Sequence, residues 1–126
     1  MFKVLPIQTK EEQKNICELC GVKFDADLLA YAVSVDDTLA GVCQFKLTDK
    51  GGIVYDLAAT LNDYNSDALF VMGRGALNFI DLCGVHYATY VGEVKDESLL
   101  LKIGFKKDEN GTYSVNLEGF FTDHCH

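Results

Sequence analysis

Residues 97–117 read ESLLLKIGFKKDENGTYSVNL, and the fold turns on how this stretch is parsed. Its first part is an amphipathic pattern halted by Gly104, which predicts a short helix ended by a C-cap glycine. The polar run after Phe105 is rich in turn formers, and "YSVNLEGFF" (113–121) then predicts the final strand, the far arm of a hairpin. Gly104 therefore reads as a cap, and Phe105 as the residue that packs the start of the next strand.

Working outward, "VHYATYV" (85–91) predicts a core strand before that helix, and "SDALFVMGRGALNFIDLCG" (66–84) a long helix before the strand. Leu69, Met72, Ala76, Phe79, Ile80 and Cys83 keep helical spacing up to Gly84. Ser66 is the expected N-cap, and Asp67 suits the positive helix start. Gly73 and Gly75 inside the helix each cost roughly 1 kcal/mol relative to Ala, which points to close packing on a sheet. Upstream, "AYAVSV", "TLAGVCQFKL" and "IVYDLAAT" predict three consecutive strands joined at Asp36–Asp37 and at Thr48–Gly52. "MFKVLPI" predicts a first strand stopped by Pro6. "TKEEQKNICELCG" is a helix with Thr9 and Glu12 at capping-box spacing and Gly21 past its end. The predicted order is β-α-(α)-β-β-β-α-β-α-β-β, an α+β fold with a mixed, largely antiparallel central sheet flanked by helices.

The totals fit this reading. The 126 residues are 48% hydrophobic and 11% aromatic, enough for one domain (1–126) with a substantial core and against disorder. A formal charge of −8 argues against nucleic acid and anionic membranes as partners. No basic-then-apolar leader and no apolar run near ~18 residues is visible, so a soluble, cytoplasmic protein is expected. The odd set of cysteines, Cys17, Cys20, Cys43, Cys83 and Cys125, reads as reduced thiols.

The element order, together with "IVYDLAAT", the long helix, "GVHYATYVG" and "LLLKIGFKKDENGTYSV", resembles the GNAT N-acetyltransferase superfamily over most of the chain. The resemblance implies acetyl-CoA as co-substrate, lying in a splay between the third of the consecutive strands and the strand after the long helix. It implies acetyl transfer to a primary amine of a small molecule or a protein. The backbone of Ala58, Ala59 and Thr60 would bond the pantetheine arm. Ser66, Asp67 and Ala68, at the helix start, would face the pyrophosphate. Two departures stand out. The family's Q/R-x-x-G-x-G/A loop is replaced by "YNSDAL", with Asp67 about where the first glycine belongs, and a carboxylate there repels phosphate. The tyrosine acid that many members carry four residues before the "GF" glycine is Leu100 here. A degenerate, non-catalytic GNAT-like domain that binds a small ligand or a protein partner is therefore the alternative.

Catalytic candidates follow from the need for a base that takes the amine proton. Asp56 on the third consecutive strand is one, although strand-end carboxylates are more often solvated. His86 is another if it points into the splay, although a lone histidine is more often structural. Tyr87, Tyr90 and Tyr113 each offer a phenol, and spacing selects none of them. "CELC" (17–20) raises a zinc site, completed by His124, Cys125 or His126 of the tail. The commoner reading is two small apolar side chains at the end of a helix, with no metal expected. "GRG" (73–75) lies too deep in its helix to cradle a phosphate, because its N–H groups belong to the helical ladder.

Overall fold

A computed structural model describes residues 1–121. Eight strands and three helices follow in the order β1 (Phe2–Pro6), α1 (Lys10–Leu19), β2 (Leu29–Val35), β3 (Thr38–Thr48), β4 (Gly51–Val54), β5 (Ala58–Ala59), α2 (Ser66–Leu82), β6 (Tyr87–Tyr90), α3 (Glu97–Ile103), β7 (Lys106–Lys107) and β8 (Tyr113–Asn116). The strands lie side by side as β1-β2-β3-β4-β6-β8-β7, with β5 paired to β3 off that path. Only β4 and β6 run parallel. The fold is thus α+β with an open, mostly antiparallel sheet, as the pattern predicts.

Local chemistry explains the turns. Asp36 and Asp37 both take positive φ, 49° and 71°, and join the β2 and β3 ends at Val35 and Thr38. A two-residue hairpin of this kind matches strand twist and tolerates aspartate in the left-handed region. The capping of α1 by Thr9, whose hydroxyl accepts the Glu12 N–H at 3.1 Å, is also as the spacing predicts. Gly104, at φ 131°, ends α3, and Phe105 behind it is buried against Tyr90.

The sheet buries both faces of its centre. Along β3, Val42 and Gln44 face α1, while Cys43 and Phe45 alternate toward α2, as strand periodicity requires. The larger core packs α2 and α3 on the sheet through Leu69, Met72, Leu77, Ile80, Ile103 and Phe105. The smaller one packs α1 through Cys17, Cys20, Ala30 and Val42. The "GRG" segment is part of the larger interface. A Cβ on Gly73 would stand 2.6 Å from Ile103 Cδ1. The Arg74 Nε–H donates to the Ile103 carbonyl at 2.6 Å, with its guanidinium stacked on Phe70 and Phe120.

Four expectations are corrected. The parenthesised second helix is absent: Leu28 N–H bonds the Asp25 carbonyl in one turn, and the Asp25 carboxylate takes the Asp27 N–H, so no helix propagates. The N-cap of α2 is Asn65, whose side chain accepts the Ala68 N–H at 3.0 Å, and Ser66 is the first helical residue. "IVYDLAAT" is not one strand: it breaks at Tyr55–Leu57 into β4 and β5. The last strand ends at Asn116, whose side chain takes the Glu118 N–H and turns the chain. Among the described residues no helix is long and apolar enough to cross a membrane.

Candidate active site

The parallel pair β4–β6 positions the site. Gly52, Ile53 and Val54 are in register with Ala88, Thr89 and Tyr90, and the Val91 N–H still reaches the Val54 carbonyl at 2.9 Å. There the two chains part. Tyr55 turns its N–H to the Gln44 carbonyl of β3 at 2.8 Å, and Ala58 and Ala59 then pair with Val42 and Gly41. The β6 chain runs on into the Glu93–Asp96 loop instead. The gap opens into a cavity of about 720 Å³ at the carboxyl ends of β4 and β6. Its walls include Asp56 to Thr60 on one side, Tyr90, Leu99 and Leu100 on the other, and Cys20 to Lys23 beyond the end of α1.

Asp56 is a partly buried carboxylate of this wall. Burial pushes its carboxyl from 3.8 up to about 6, against the opposing pull of hydrogen bonds from Gln44. The Gln44 backbone N–H reaches Oδ1 and the Gln44 side-chain amide reaches Oδ2, both at 2.8 Å. A carboxylate so poised is mostly ionised at pH 7 yet accepts a proton readily, the balance a general base needs.

Of the residues singled out from sequence, Asp56, Ala58, Ala59 and Thr60 come together on the cavity wall. Among the described residues the β5 edge away from β3 has no strand partner. Ser66, Asp67 and Ala68 form the first turn of α2 and are not among the lining residues. In that turn the Ser66 and Asp67 N–H groups have no helical acceptor by geometry, whereas the Ala68 N–H is taken by Asn65. The Asp67 carboxylate is exposed, with Lys102 Nζ 4.0 Å away.

His86 lies elsewhere. It precedes β6, roughly 15 Å from the cavity end of that strand at ordinary strand rise. Its Nδ1 pairs with Asp81 Oδ1 at 2.6 Å, and it borders a separate hollow with Thr48, Lys50 and Gly84. The condition under which it would serve as a base, that it points into the splay, is not met: strand direction carries it to the opposite end of the sheet.

Of Tyr87, Tyr90 and Tyr113, only Tyr90 lines the cavity, and its hydroxyl donates to the Glu93 carbonyl at 2.5 Å. Burial, then the nearby Asp56 charge, pushes its phenol well above the usual range. The Tyr113 hydroxyl is committed to Glu97, and Tyr87 stands at the His86 end. Leu100 is buried in the cavity wall, so no phenol occupies that position. Cys17 and Cys20 are buried thiols. Burial is the main cause that pushes Cys17 up to about 11 and Cys20 to about 12, with the Asp56 charge adding to both. Among the described residues no group of three or more His, Cys, Asp or Glu side chains is placed to hold a metal. The tail residues His124, Cys125 and His126 lie outside the described residues.

Sequence reading passed over Gln44, and over Tyr64, whose hydroxyl reaches Asp96 Oδ2 at 2.6 Å between the α2 and α3 sides of the cavity. A signal for Gln44 existed: it is the one polar residue in the run "GVCQF" of a central strand, where a buried amide demands partners.

The sequence by itself matches no family model and no curated protein. Solved structures do match, at low identity. The spermidine N-acetyltransferase of Vibrio cholerae superposes with a TM-score of 0.72 at 9% identity, over 98% of this chain and 98% of that one. An acetyltransferase of Bacillus subtilis solved with CoA gives 0.70 at 16% identity, over 93% and 99%. The PaiA N-acetyltransferase of Thermoplasma acidophilum, also solved with coenzyme A, gives 0.68 at 11% identity, over 92% and 99%. Likeness at this depth concerns the backbone: the chain is similar to these proteins in fold.

Proposed function

We propose that this chain, which carries the fold of the GNAT acetyltransferases, is an acyl-CoA-dependent N-acyltransferase. It moves an acetyl group from acetyl-CoA to the primary amine of a small molecule or a protein. The observation that carries the reading is the parting of β4 and β6 into a cavity of about 720 Å³ with the half-buried Asp56 carboxylate on its wall. Solved neighbours with CoA bound support the choice of donor.

The residues present fit the two parts of that donor differently. The unpartnered edge of β5 at Ala58–Ala59, with Thr60 beyond it, suits the amide-rich pantetheine arm, which can bond as an added strand does. The pyrophosphate would meet the Ser66 and Asp67 N–H groups of α2, with Lys102 nearby and the Asp67 carboxylate opposing. That predicts a donor held mainly by its arm and only weakly by its phosphates. In the reaction the neutral amine attacks the thioester carbonyl carbon, the new C–N bond forms, and the C–S bond breaks. Asp56 takes the proton released by the amine, and the thiolate departs and is protonated by solvent. With no phenol at Leu100, the rate rests on proximity and on Asp56. Acidic groups predominate among the charged lining residues, with Asp25, Asp56, Asp63, Glu93 and Asp96 against Lys23 and Lys95, which suits an acceptor that arrives as a cation.

Titration calorimetry with acetyl-CoA at low ionic strength, followed by acetylation of a panel of mono- and polyamines, tests this reading. Binding, with turnover lost in Asp56→Asn, is the expected result. No heat at millimolar acetyl-CoA would overturn it. A second reading, a non-catalytic ligand-binding domain, is favoured by Asp67 and Leu100 standing where the resemblance calls for glycine and tyrosine. Binding without turnover of any amine would select it.

A further inference from the structure

Gln13 and Gln44 are the two polar residues among the buried ones described, each about 1% exposed. They are bonded to each other, Gln13 Nε2–H donating to Gln44 Oε1 at 2.9 Å. The direction of that bond is set by groups that cannot rotate. The Gln44 amide nitrogen faces two acceptors, the Asp56 carboxylate at 2.8 Å and the Lys23 carbonyl at 2.9 Å. Its oxygen faces two donors, the Gln13 amide and the Asp25 backbone N–H, the latter at 3.3 Å. Turned over, the Gln44 oxygen would confront a carboxylate and a carbonyl at once, which Coulomb repulsion forbids at these distances. Gln13 is fixed the same way. Its nitrogen also faces the Asp25 and Leu28 carbonyls, both at 3.3 Å, and its oxygen accepts from Lys10 Nζ at 3.0 Å. A one-directional chain therefore runs from the Lys10 ammonium on the surface of α1, through two buried amides, to Asp56 Oδ2, while the Gln44 backbone N–H takes Oδ1.

We infer that Gln44, oriented by Gln13 and Lys10, is the positioning residue of the cavity carboxylate, fixing the plane of Asp56 and favouring its ionised form. The functional part of this inference rests on the reading of Asp56 as the base. Two donors aimed at one carboxylate stabilise its charge, and they oppose the burial that would otherwise hold it protonated. The titratable groups that face Asp56 are the Cys17 and Cys20 thiols at the end of α1, Cys43 from β3 and the Tyr90 phenol from β6, and the Asp56 charge helps to hold each of them in its neutral form. Gln44 is thus the group that keeps Asp56 able to ionise near neutral pH. Lys10 acts two amides away, and the Lys23 and Lys95 ammonium groups of the same cavity are not among the causes that set the Asp56 proton affinity.

Carbon-detected NMR titration of the Asp56 carboxyl, assigned by its loss in Asp56→Asn, tests this on the free protein and needs no activity. Gln44→Met should raise the apparent pKa by about one unit or more, because one charge-assisted donor is lost while the backbone N–H remains. Gln13→Met and Lys10→Met should raise it by less, in that order. A folded Gln44→Met whose Asp56 titrates as in the wild type overturns the inference. If Gln44→Met does not fold, Gln13→Met and the surface change Lys10→Met decide, and unchanged titration in both refutes the chain. In the acetylation assay the rising limb of the kcat/KM–pH profile should move up with the NMR value. A titration that moves while that limb stays still would refute the base reading and leave Gln44 as the residue that positions Asp56.

Discussion

Asp56 ties the site to the stability of the fold, and the cost can be worked out. Its carboxyl has a pKa of about 6 in the folded chain against 3.8 in the open, with burial the largest cause. A gap of about two pH units at 1.36 kcal/mol per unit amounts to about 3 kcal/mol. The sign follows from proton binding. Below pH 3.8 the group is protonated in both states. As pH rises the unfolded chain loses its proton first, so the folded chain binds more protons and stability falls. The loss is complete once pH has passed through about 6. Asp56→Asn is neutral throughout, and any cost of turning its amide toward the Gln44 donors does not depend on pH. Urea unfolding of both proteins from pH 4 to pH 7.5 should therefore show the wild type losing about 2.5 kcal/mol relative to Asp56→Asn across that range, because part of the loss lies below pH 4. A difference constant to within about 1 kcal/mol, or one of opposite sign, would refute the burial argument and the poised base with it.

The two glycines of α2 should respond in opposite senses when changed to alanine. Gly75→Ala places a Cβ 3.3 Å from Val4 Cγ1 alone and should stabilise by about 0.5 kcal/mol through helix propensity. Gly73→Ala meets the buried Ile103 at 2.6 Å and should lose about 1–2 kcal/mol net, both read from thermal or urea unfolding. Asn65→Ala removes the cap of α2 and should cost about 1 kcal/mol in the same assay. Asp67→Gly should tighten acetyl-CoA severalfold in low-salt calorimetry, and an unchanged affinity would show that the phosphates do not sit at that turn. In a Cys125→Ser background at pH 8, a thiol reagent should modify the exposed Cys83 at once and reach Cys17, Cys20 and Cys43 only on unfolding, because burial holds those thiols protonated.

Much of this molecule is legible in local pattern. Gly104 ends α3 at positive φ, Asp36–Asp37 make a two-residue hairpin, Thr9 caps α1, and the spacing of Leu69, Met72, Ala76 and Ile80 lays one face of α2 on the sheet. Each of these depends on neighbours within a few residues, so the chain announces it directly. Where reading along the chain fails, the deciding partner is distant. Asn65 and Ser66 are equally good caps by type, and only the angle at which the chain enters α2 selects Asn65. "IVYDLAAT" has the composition of one strand, yet the chain leaves β6 at Tyr55 while keeping to β3, whose Gln44 carbonyl takes the Tyr55 N–H. Asp56 and His86 are both candidate bases on paper. The parallel alignment of β4 and β6 sends one to the open end of the sheet and the other to the closed end.

By itself, then, the chain of residues determined most of the elements and the α+β architecture, because caps, turns and periodicity are short-range interactions written in neighbouring side chains. Tertiary structure alone decided where β4 and β6 separate, which carboxylate stands on the cavity wall, and how it is held. Those depend on Gln13, Gln44 and Asp56 meeting across 31 and 12 residues of sequence, and such a meeting exists only once the sheet has brought α1, β3 and the end of β4 together.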